Sequence, residues 1–333
     1  MISTIYFEEE VADHPRTLHL FEKFSLADRI PCTHYKEVFN PGGQNFRIQK
    51  KKPALILAGN SGKKVHPVPT TYGIGGRHNF YFSHMLNCLY DCRYCFLQGM
   101  YPSAHYLLFV NYEDFYEEIE KVAMQTPTEP SWFFSGYDCD SLALESLSGF
   151  AVSALSYFKD HPTAQLELRT KSINTQVLEK HPPLSNVVTA FSFTPQEISD
   201  QLEQNVPSVS SRIKAMRSLA EKEWKIGIRL DPVIDCHQFT ERYASLISQI
   251  FGEIPRDAVH SVSLGPFRLP HPFFKRMEKL YPSEPLFAGN LEKRGRSVSY
   301  EPEIENQRIE TCRKLLLKEI PSEKLFLCQP MED

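Results

Sequence analysis

The stretch Cys88-Leu-Tyr-Asp-Cys92-Arg-Tyr-Cys95, entered through Phe80-Tyr-Phe-Ser-His-Met-Leu-Asn87, decides how the rest of the chain is read. Three of the chain's eight cysteines fall within eight residues, three and then two residues apart. A loop that short can turn all three sulfurs toward one centre. Structural zinc takes four closed ligands, usually as two separated pairs, and no second CxxC pair exists in the sequence. The histidine pairs His14/His19 and His78/His84 are weak substitutes. With 78–84 extended, its two imidazoles stand roughly 20 Å apart and cannot share an ion. Three thiolates without an obvious fourth ligand suit a [4Fe–4S] cube with one iron left open. Zinc and unliganded thiols stay as the alternatives.

The spacing CxxxCxxC, with Tyr94 just before the last cysteine, resembles the radical S-adenosylmethionine (SAM) superfamily. The resemblance implies an open iron chelated by the amino and carboxylate groups of SAM, with the Tyr94 ring against the adenine. One electron from the cluster then cleaves the sulfonium to methionine and a 5′-deoxyadenosyl radical. Such chemistry needs a one-electron reductant such as flavodoxin or ferredoxin.

At 333 residues the chain is long enough for a sizeable core, as one large domain or two modest ones. Its 41% hydrophobic and 23% charged residues are those of a soluble globular protein. The start, Met1-Ile-Ser-Thr-Ile-Tyr-Phe-Glu, has neither a basic lead nor an apolar signal core, and no apolar run is long enough to span a bilayer. The expected compartment is the cytoplasm with no membrane association. There thiols stay reduced, and clustered cysteines favour metal over disulfide. The scattered Cys32, Cys139, Cys236, Cys312 and Cys328 read as small buried side chains. A net charge of −4 argues against a surface coated for nonspecific nucleic-acid binding. A local basic groove has four candidates: Lys50-Lys-Lys52, Lys63-Lys64, Phe274-Lys-Arg276 and Lys293-Arg-Gly-Arg296. Each also reads as a solvated surface run.

Residues 1–75 form a preface. Leu18, Phe21 and Phe24 recur three apart behind Pro15 and predict a short helix, Asn40-Pro-Gly-Gly43 a turn, and Leu55-Ile-Leu-Ala58 a strand. The glycines of Thr71-Tyr-Gly-Ile-Gly-Gly76 are not a phosphate loop, because no helix opening on Lys-Ser/Thr follows. From residue 79, strands are expected at 79–83, 131–135, 166–169, 187–192, 225–230 and 261–264. Helices alternate with them: one from 111, one through Leu144, Leu147, Ala151 and Leu155 with Asp140 as N-cap, one from about Ser211, and one carrying Tyr243, Leu246 and Ile250. Strand–helix alternation predicts parallel pairing with right-handed crossovers. The fold expected is α/β: an incomplete TIM-like (β/α)6 barrel of the radical SAM type. A doubly wound open sheet is the alternative. The expected division is an N-terminal region 1–75, the partial barrel 76–275 and a C-terminal extension 276–333. In such barrels reactive groups collect where strands run into the following loops, and the cysteine loop follows the first strand.

Beyond the cysteines, the chain resembles the spore photoproduct lyase family of DNA-repair enzymes, with gaps, from roughly residue 50 to 300. The segments that carry the likeness are Tyr94-Cys95-Phe-Leu-Gln98, Phe109-Val-Asn111, Arg169-Thr-Lys171, Phe191-Ser-Phe193, Arg212, Gly227 through Pro232, and Phe267-Arg268 followed by Pro272. Only the first is specific alone; the shared order is what counts.

The resemblance implies a lyase that reverses an ultraviolet-induced thymine–thymine lesion. The adenosyl radical removes a hydrogen, the bond joining the thymines breaks, and a hydrogen is returned. The partner is ultraviolet-damaged DNA, with the lesion extruded from the duplex. Cluster ligands are Cys88, Cys92 and Cys95. Lys171, Ser192 and Asp231, at strand ends, are candidates for SAM alongside Tyr94, and Arg268, Arg294 and Tyr300 for the substrate face. For the last three, structural pairing is an equal reading.

Two positions depart from the family. Phe96 stands where a second tyrosine, implicated in passing the radical, is usual, and Tyr137 stands where the hydrogen-donating cysteine is expected. Cys139, two residues on, shares the face of Tyr137 if the segment stays extended. Tyr94, Tyr137 and Cys139 are therefore the candidates for handling the hydrogen. A radical SAM enzyme of the same lineage acting on another substrate, and a non-catalytic metal- or nucleic-acid-binding protein, are the competing functions.

Overall fold

A computed structural model describes residues 2–125 and 129–328. Six strands form the frame: β1 (His78–Phe82), β2 (Ser131–Phe134), β3 (Ala164–Thr170), β4 (Val187–Ser192), β5 (Lys225–Val233) and β6 (Val259–Pro266). They pair in sequence order, every neighbour parallel. Val65–Pro67 adds antiparallel to β1 and Leu325–Leu327 adds parallel to β6, giving an eight-stranded curled sheet. This is the radical SAM partial barrel that the alternation of strands and helices predicts.

The helices used below are α1 (Pro15–Lys23), α2 (Phe46–Lys51), α3 (Leu97–Met100), α4 (Tyr112–Met124), α5 (Phe150–Lys159), α6 (Val209–Ala220), α7 (Phe239–Glu253), α8 (His271–Leu280) and α9 (Pro302–Leu316). Of these, α4 to α7 lie in the crossovers between barrel strands.

Strand alternation explains the layering. Leu166, Leu168, Ile226, Ile228, Leu230, Val262 and Leu264 are fully or almost fully buried in the main core with Leu155, Met216 and Leu246 of the crossover helices. The other register turns inward. Arg229 lies there with no exposed side-chain surface, donating to Glu167 Oε2 at 2.7 Å and to Ser261 Oγ at 3.0 Å. The sequence reads as apolar strands, yet the concave face is polar. An open barrel needs its interior for a ligand, and a buried charge is tolerated when paired and hydrogen-bonded.

A second sheet, in the order Asp28–Cys32, Thr4–Glu8, Leu55–Ala58, Tyr106–Phe109, Met85–Leu86, joins the N-terminal region to strands beyond residue 75. The predicted strand at 55–58 lies here. The sheets therefore do not divide at the expected boundaries. Helix α1 buries Thr17, Leu20 and Phe21, and Leu18 is 46% exposed, so its apolar stripe is rotated from the expected one. Gly149, at φ 58°, breaks the helix expected from Asp140 into Glu145–Ser148 and α5. The basic run Lys293-Arg-Gly-Arg296 spans the turn of a hairpin, Leu291–Arg294 with Ser297–Tyr300.

Candidate active site

The cysteine loop leaves the end of β1 and is pinned at several points. Asn87 takes a left-handed φ of 71° and donates from Nδ2 to the carbonyls of Ser103 and His105 at 2.6 and 2.7 Å. Asp91–Cys92 pairs antiparallel with Glu203–Gln204, and Arg93 N donates to Leu202 O at 2.8 Å. Cys95 N closes a turn on Cys92 O at 3.0 Å, and α3 starts immediately after. Cys92 is buried, and Cys88 and Cys95 are half-buried. Burial pushes the Cys88 thiol up to about 12, with Asp140 adding to it. The Cys92 thiol rises too, chiefly through burial, against the pull of Lys171.

The three thiols lie near enough to act on one another electrostatically. Among the described residues, no three His, Cys, Asp or Glu side chains converge on a single-ion site. A cube asks for something different: each thiolate reaches its own iron. Three clustered thiols on one pinned loop, with Lys171 and Lys50 close enough to offset negative charge, fit that requirement.

Beside the loop lies a buried charge network. Tyr94, 5% exposed, donates its hydroxyl to Glu203 Oε1. Lys171 Nζ is 3.8 Å from the same oxygen and 5.5 Å from the centre of the Tyr94 ring. Arg212 donates to Glu203 Oε2 at 2.8 Å, to Ser199 Oγ at 2.9 Å and to the Ser192 carbonyl at 2.7 Å. Burial alone pushes Glu203 up, but Lys171 and Arg212 together hold it below the ordinary carboxylate value. Sequence reading missed Glu203. Its only signal is position, since the backbone pairing that places it opposite Cys92 is invisible in the chain. Ser192, at the end of β4, is buried and contributes its carbonyl to this network.

The mouth of the barrel is aromatic. Tyr137 is 48% exposed; its ring lies 4.4 Å from Tyr81 and 5.3 Å from Phe96, between centroids. His66 stacks on the far side of Tyr81 at 5.2 Å. Arg268 sits 4.6 Å over the Tyr72 ring, donates to Cys328 O at 2.9 Å and reaches within 4.0 Å of Asp231 Oδ1. Beneath Tyr137, Asp138 accepts from Ser83 Oγ and, at 2.7 Å, from Tyr101 Oη. Burial pushes the Tyr137 hydroxyl up to about 12, with Asp138 adding to it.

Cys139 does not share the face of Tyr137. The segment after β2 turns: Gly136 packs so closely that a Cβ would stand 2.8 Å from Arg169 Cβ. Asp140 then fastens the turn, accepting from Leu142 N, Ala143 N and Thr170 Oγ1 at 2.7–2.9 Å, and from Lys171 N at 2.6 Å. Adjacent residues consequently point apart, and Cys139 is 5% exposed in the main core, its Sγ 3.9 Å from His84 Nδ1. His84 stacks on Phe150 at 3.7 Å and burial lowers it to about 3, so it is a neutral packing residue.

Two of the three expected substrate residues are occupied elsewhere. Arg294 pairs with Glu305 and donates to Tyr300 O at 3.1 Å inside the C-terminal hairpin. Tyr300 is 5% exposed and its hydroxyl accepts from Asp235 N at 3.0 Å. Tyr300 is thus part of the packing, whereas Arg294 keeps 34% of its side chain exposed and Arg268 stays at the mouth.

A partial parallel barrel with three cysteines on the loop after its first strand defines the radical SAM class. The sequence matches the spore photoproduct lyase family over residues 2–301, and the chain belongs to that family. It is 20% identical over 259 residues to a spore photoproduct lyase of Geobacillus sp. (strain Y412MC61), covering 74% of this chain and 72% of that one. Among solved structures, a cysteine-to-alanine mutant of spore photoproduct lyase superposes with a TM-score of 0.85 at 19% identity. A double mutant of that lyase with bound AdoMet and dinucleoside spore photoproduct gives 0.83 at 18%, and a lyase complexed with dinucleoside spore photoproduct 0.81 at 19%. Each covers 99% of this chain and 98% of the other. No helix among the described residues is long and apolar enough to cross a membrane.

Proposed function

We propose that this chain is a radical SAM lyase that reverses an ultraviolet-induced thymine dimer lesion of the spore photoproduct kind in DNA, using a [4Fe–4S] cluster on Cys88, Cys92 and Cys95 together with SAM. The observation that carries the proposal is spatial. The pinned cysteine loop, the Lys171–Tyr94–Glu203 group and the aromatic mouth at Tyr137 all gather at the strand ends of one half-barrel. Reduction by a flavodoxin or ferredoxin completes the requirement, and the cytoplasm supplies it.

When bound, cluster and SAM together supply a carbon radical able to take a hydrogen atom from the lesion. The chain's own residues set the stage for it. Lys171, held by Glu203 at its buried end, presents an ammonium for the SAM carboxylate. The Tyr94 hydroxyl is held by the same carboxylate, and its ring would lie against the adenine. Asp231, kept in place beside Gly265 and Arg268, takes the ribose hydroxyls. Tyr81, Tyr137 and Phe96 form a wall on which an extruded thymine stacks; such stacking contributes about 1–3 kcal/mol per base. Arg268 offers a fork to a phosphate or carbonyl of the same nucleotide.

Return of the hydrogen falls to Tyr137 Oη, exposed at the mouth and protonated at neutral pH; giving up the hydrogen atom leaves a tyrosyl radical, which a second electron from the carrier protein and a proton from water restore to the phenol. Cys139 Sγ is enclosed in the core, and the Tyr94 hydroxyl is committed to Glu203. Anaerobic reconstitution with SAM and irradiated thymine-rich DNA tests the proposal. Repaired thymine and 5′-deoxyadenosine should appear; SAM cleavage without repair would reject the lyase. Phe96 and Tyr137 favour the second reading, a sister enzyme with another substrate, and labelled candidate substrates passing hydrogen into 5′-deoxyadenosine would identify it.

A further inference from the structure

Two of the basic runs in the sequence, Lys50-Lys-Lys52 and Phe274-Lys-Arg276, have no part in the barrel mouth. The fold brings both against the back of the cysteine loop. Helix α8 packs on α3: a Cβ on Gly99 would stand 2.5 Å from Phe273 O, and Arg276 donates to Met100 O at 3.1 Å. Helix α3 begins directly after Cys95, so this contact lies within one helical turn, about 6 Å of rise. Helix α2 reaches the loop from the other end. Gln49 Oε1 accepts from Ala104 N at 2.8 Å, and the same 103–105 segment is held by Asn87, the residue before Cys88.

Exposed beside these contacts are Arg47 and Lys51 of α2, Lys52 just after it, and Lys275, Arg276 and Lys279 of α8. The acidic residue among them, Glu278, is paired with Lys275 at 3.0 Å. At the α2 end stands Ile48, an apolar side chain 65% exposed. A chain with net charge −4 thus concentrates cations round an apolar point where its cysteine loop comes nearest to these helices. A positive rim about an apolar contact suits an acidic protein: the charges steer the encounter and the apolar group seals it.

We infer that the face of α2, α3 and α8 is the docking surface for an acidic one-electron carrier protein of the flavodoxin or ferredoxin kind. The inference rests on the radical SAM reading above and adds where the electron enters. A nucleic acid is the weaker occupant, since a lesion must reach Tyr137 and Arg268 at the strand ends, whereas a carrier needs only the back of Cys95.

The test uses the reconstituted holoenzyme with Lys51→Glu, Lys52→Glu, Lys275→Glu and Lys279→Glu combined, and formation of 5′-deoxyadenosine as readout. Driven by an acidic flavodoxin at low salt, the variant should be slower by about tenfold or more. Driven by dithionite, it should match the wild type, which also shows that it is folded and loaded. Added salt should slow the wild type with flavodoxin and, by screening the new repulsion, speed the variant, so that the gap between them narrows. Equal rates with flavodoxin, an equal fall with both reductants, or a loss confined to affinity for irradiated DNA would each overturn the docking assignment. A parallel variant with glutamine at the four positions should fall between the two and guards against a folding artefact. Absence of SAM cleavage by the wild type with dithionite would instead refute the function on which the inference stands.

Discussion

Glu203→Gln isolates the part of the site that sequence reading missed. The carboxylate has no exposed side-chain surface and bridges four groups: Arg212 at 2.8 Å, Lys171 at 3.8 Å, the Ser199 hydroxyl at 2.6 Å and the Tyr94 hydroxyl. Arg212 is itself fully buried and keeps two other acceptors, Ser192 O and Ser199 Oγ. Neutralising Glu203 therefore leaves one guanidinium buried without a counter-charge, a change that costs about 3–5 kcal/mol when nothing compensates. The amide can still accept from Arg212, so the lower end is expected, roughly 3 kcal/mol, or a fall in Tm of about 4 °C for 333 residues. The measurement is anaerobic thermal unfolding of apo-protein, with SAM affinity measured after reconstitution; affinity should fall because Lys171 loses its anchor.

The pH dependence has a fixed sign. Glu203 has its folded-state pKa lowered, so its stabilisation is present above the unfolded value of 4.5 and is lost as pH falls through the folded value. The gap between wild type and variant should be full at pH 7 and close progressively below 4.5. Combining Glu203→Gln with Arg212→Met should cost less than the sum of the two, because the second change removes the stranded charge. A single-variant loss below about 1 kcal/mol, the range of a surface pair, or strict additivity of the two would refute the coupling.

Tyr137→Phe should leave 5′-deoxyadenosine formation intact and abolish clean hydrogen return, read as accumulated side products on the DNA. Cys139→Ala should keep repair and lose about 1–2 kcal/mol in unfolding, since it removes one small buried group; repair that survives the first change and disappears with the second would reverse the assignment. Gly99→Ala should destabilise by about 1–3 kcal/mol because its Cβ overlaps Phe273 backbone, and α8 must shift to admit it. Arg268→Met should weaken binding of a dinucleoside lesion by roughly tenfold. Arg294→Met should lower Tm without changing that Kd, and an equal loss of affinity in both would restore Arg294 to the substrate face.

Much of the barrel was legible because its code is local. Each expected strand from 79 to 264 overlaps an observed one, with ends that agree within three residues, since β-branched and apolar runs between capped helices specify both element and order. The parts added late were not. Helix α2, the C-terminal hairpin and the strand at 325–327 are short, polar or edge elements whose formation depends on what they pack against. Residue identity likewise pointed to the cysteine triplet, but not to the direction of each neighbour. Tyr137 and Cys139 were expected on one face by the two-residue period of a strand, and the close contact at Gly136 with the Asp140 anchor turns that segment instead.

The chain's order of residues determined the grouping of three thiols in one short loop, the alternation of strand and helix, and the position of that loop after the first strand. All of these are written within a few residues of one another. Tertiary structure alone decided that Glu203 stands opposite Cys92, that Arg294 pairs with Glu305, and that Arg276 reaches Met100 just beyond the cysteine loop. Those pairings join residues tens to hundreds of positions apart. Their energies come from burial and from charges finding partners in a low-dielectric interior, which no local pattern records.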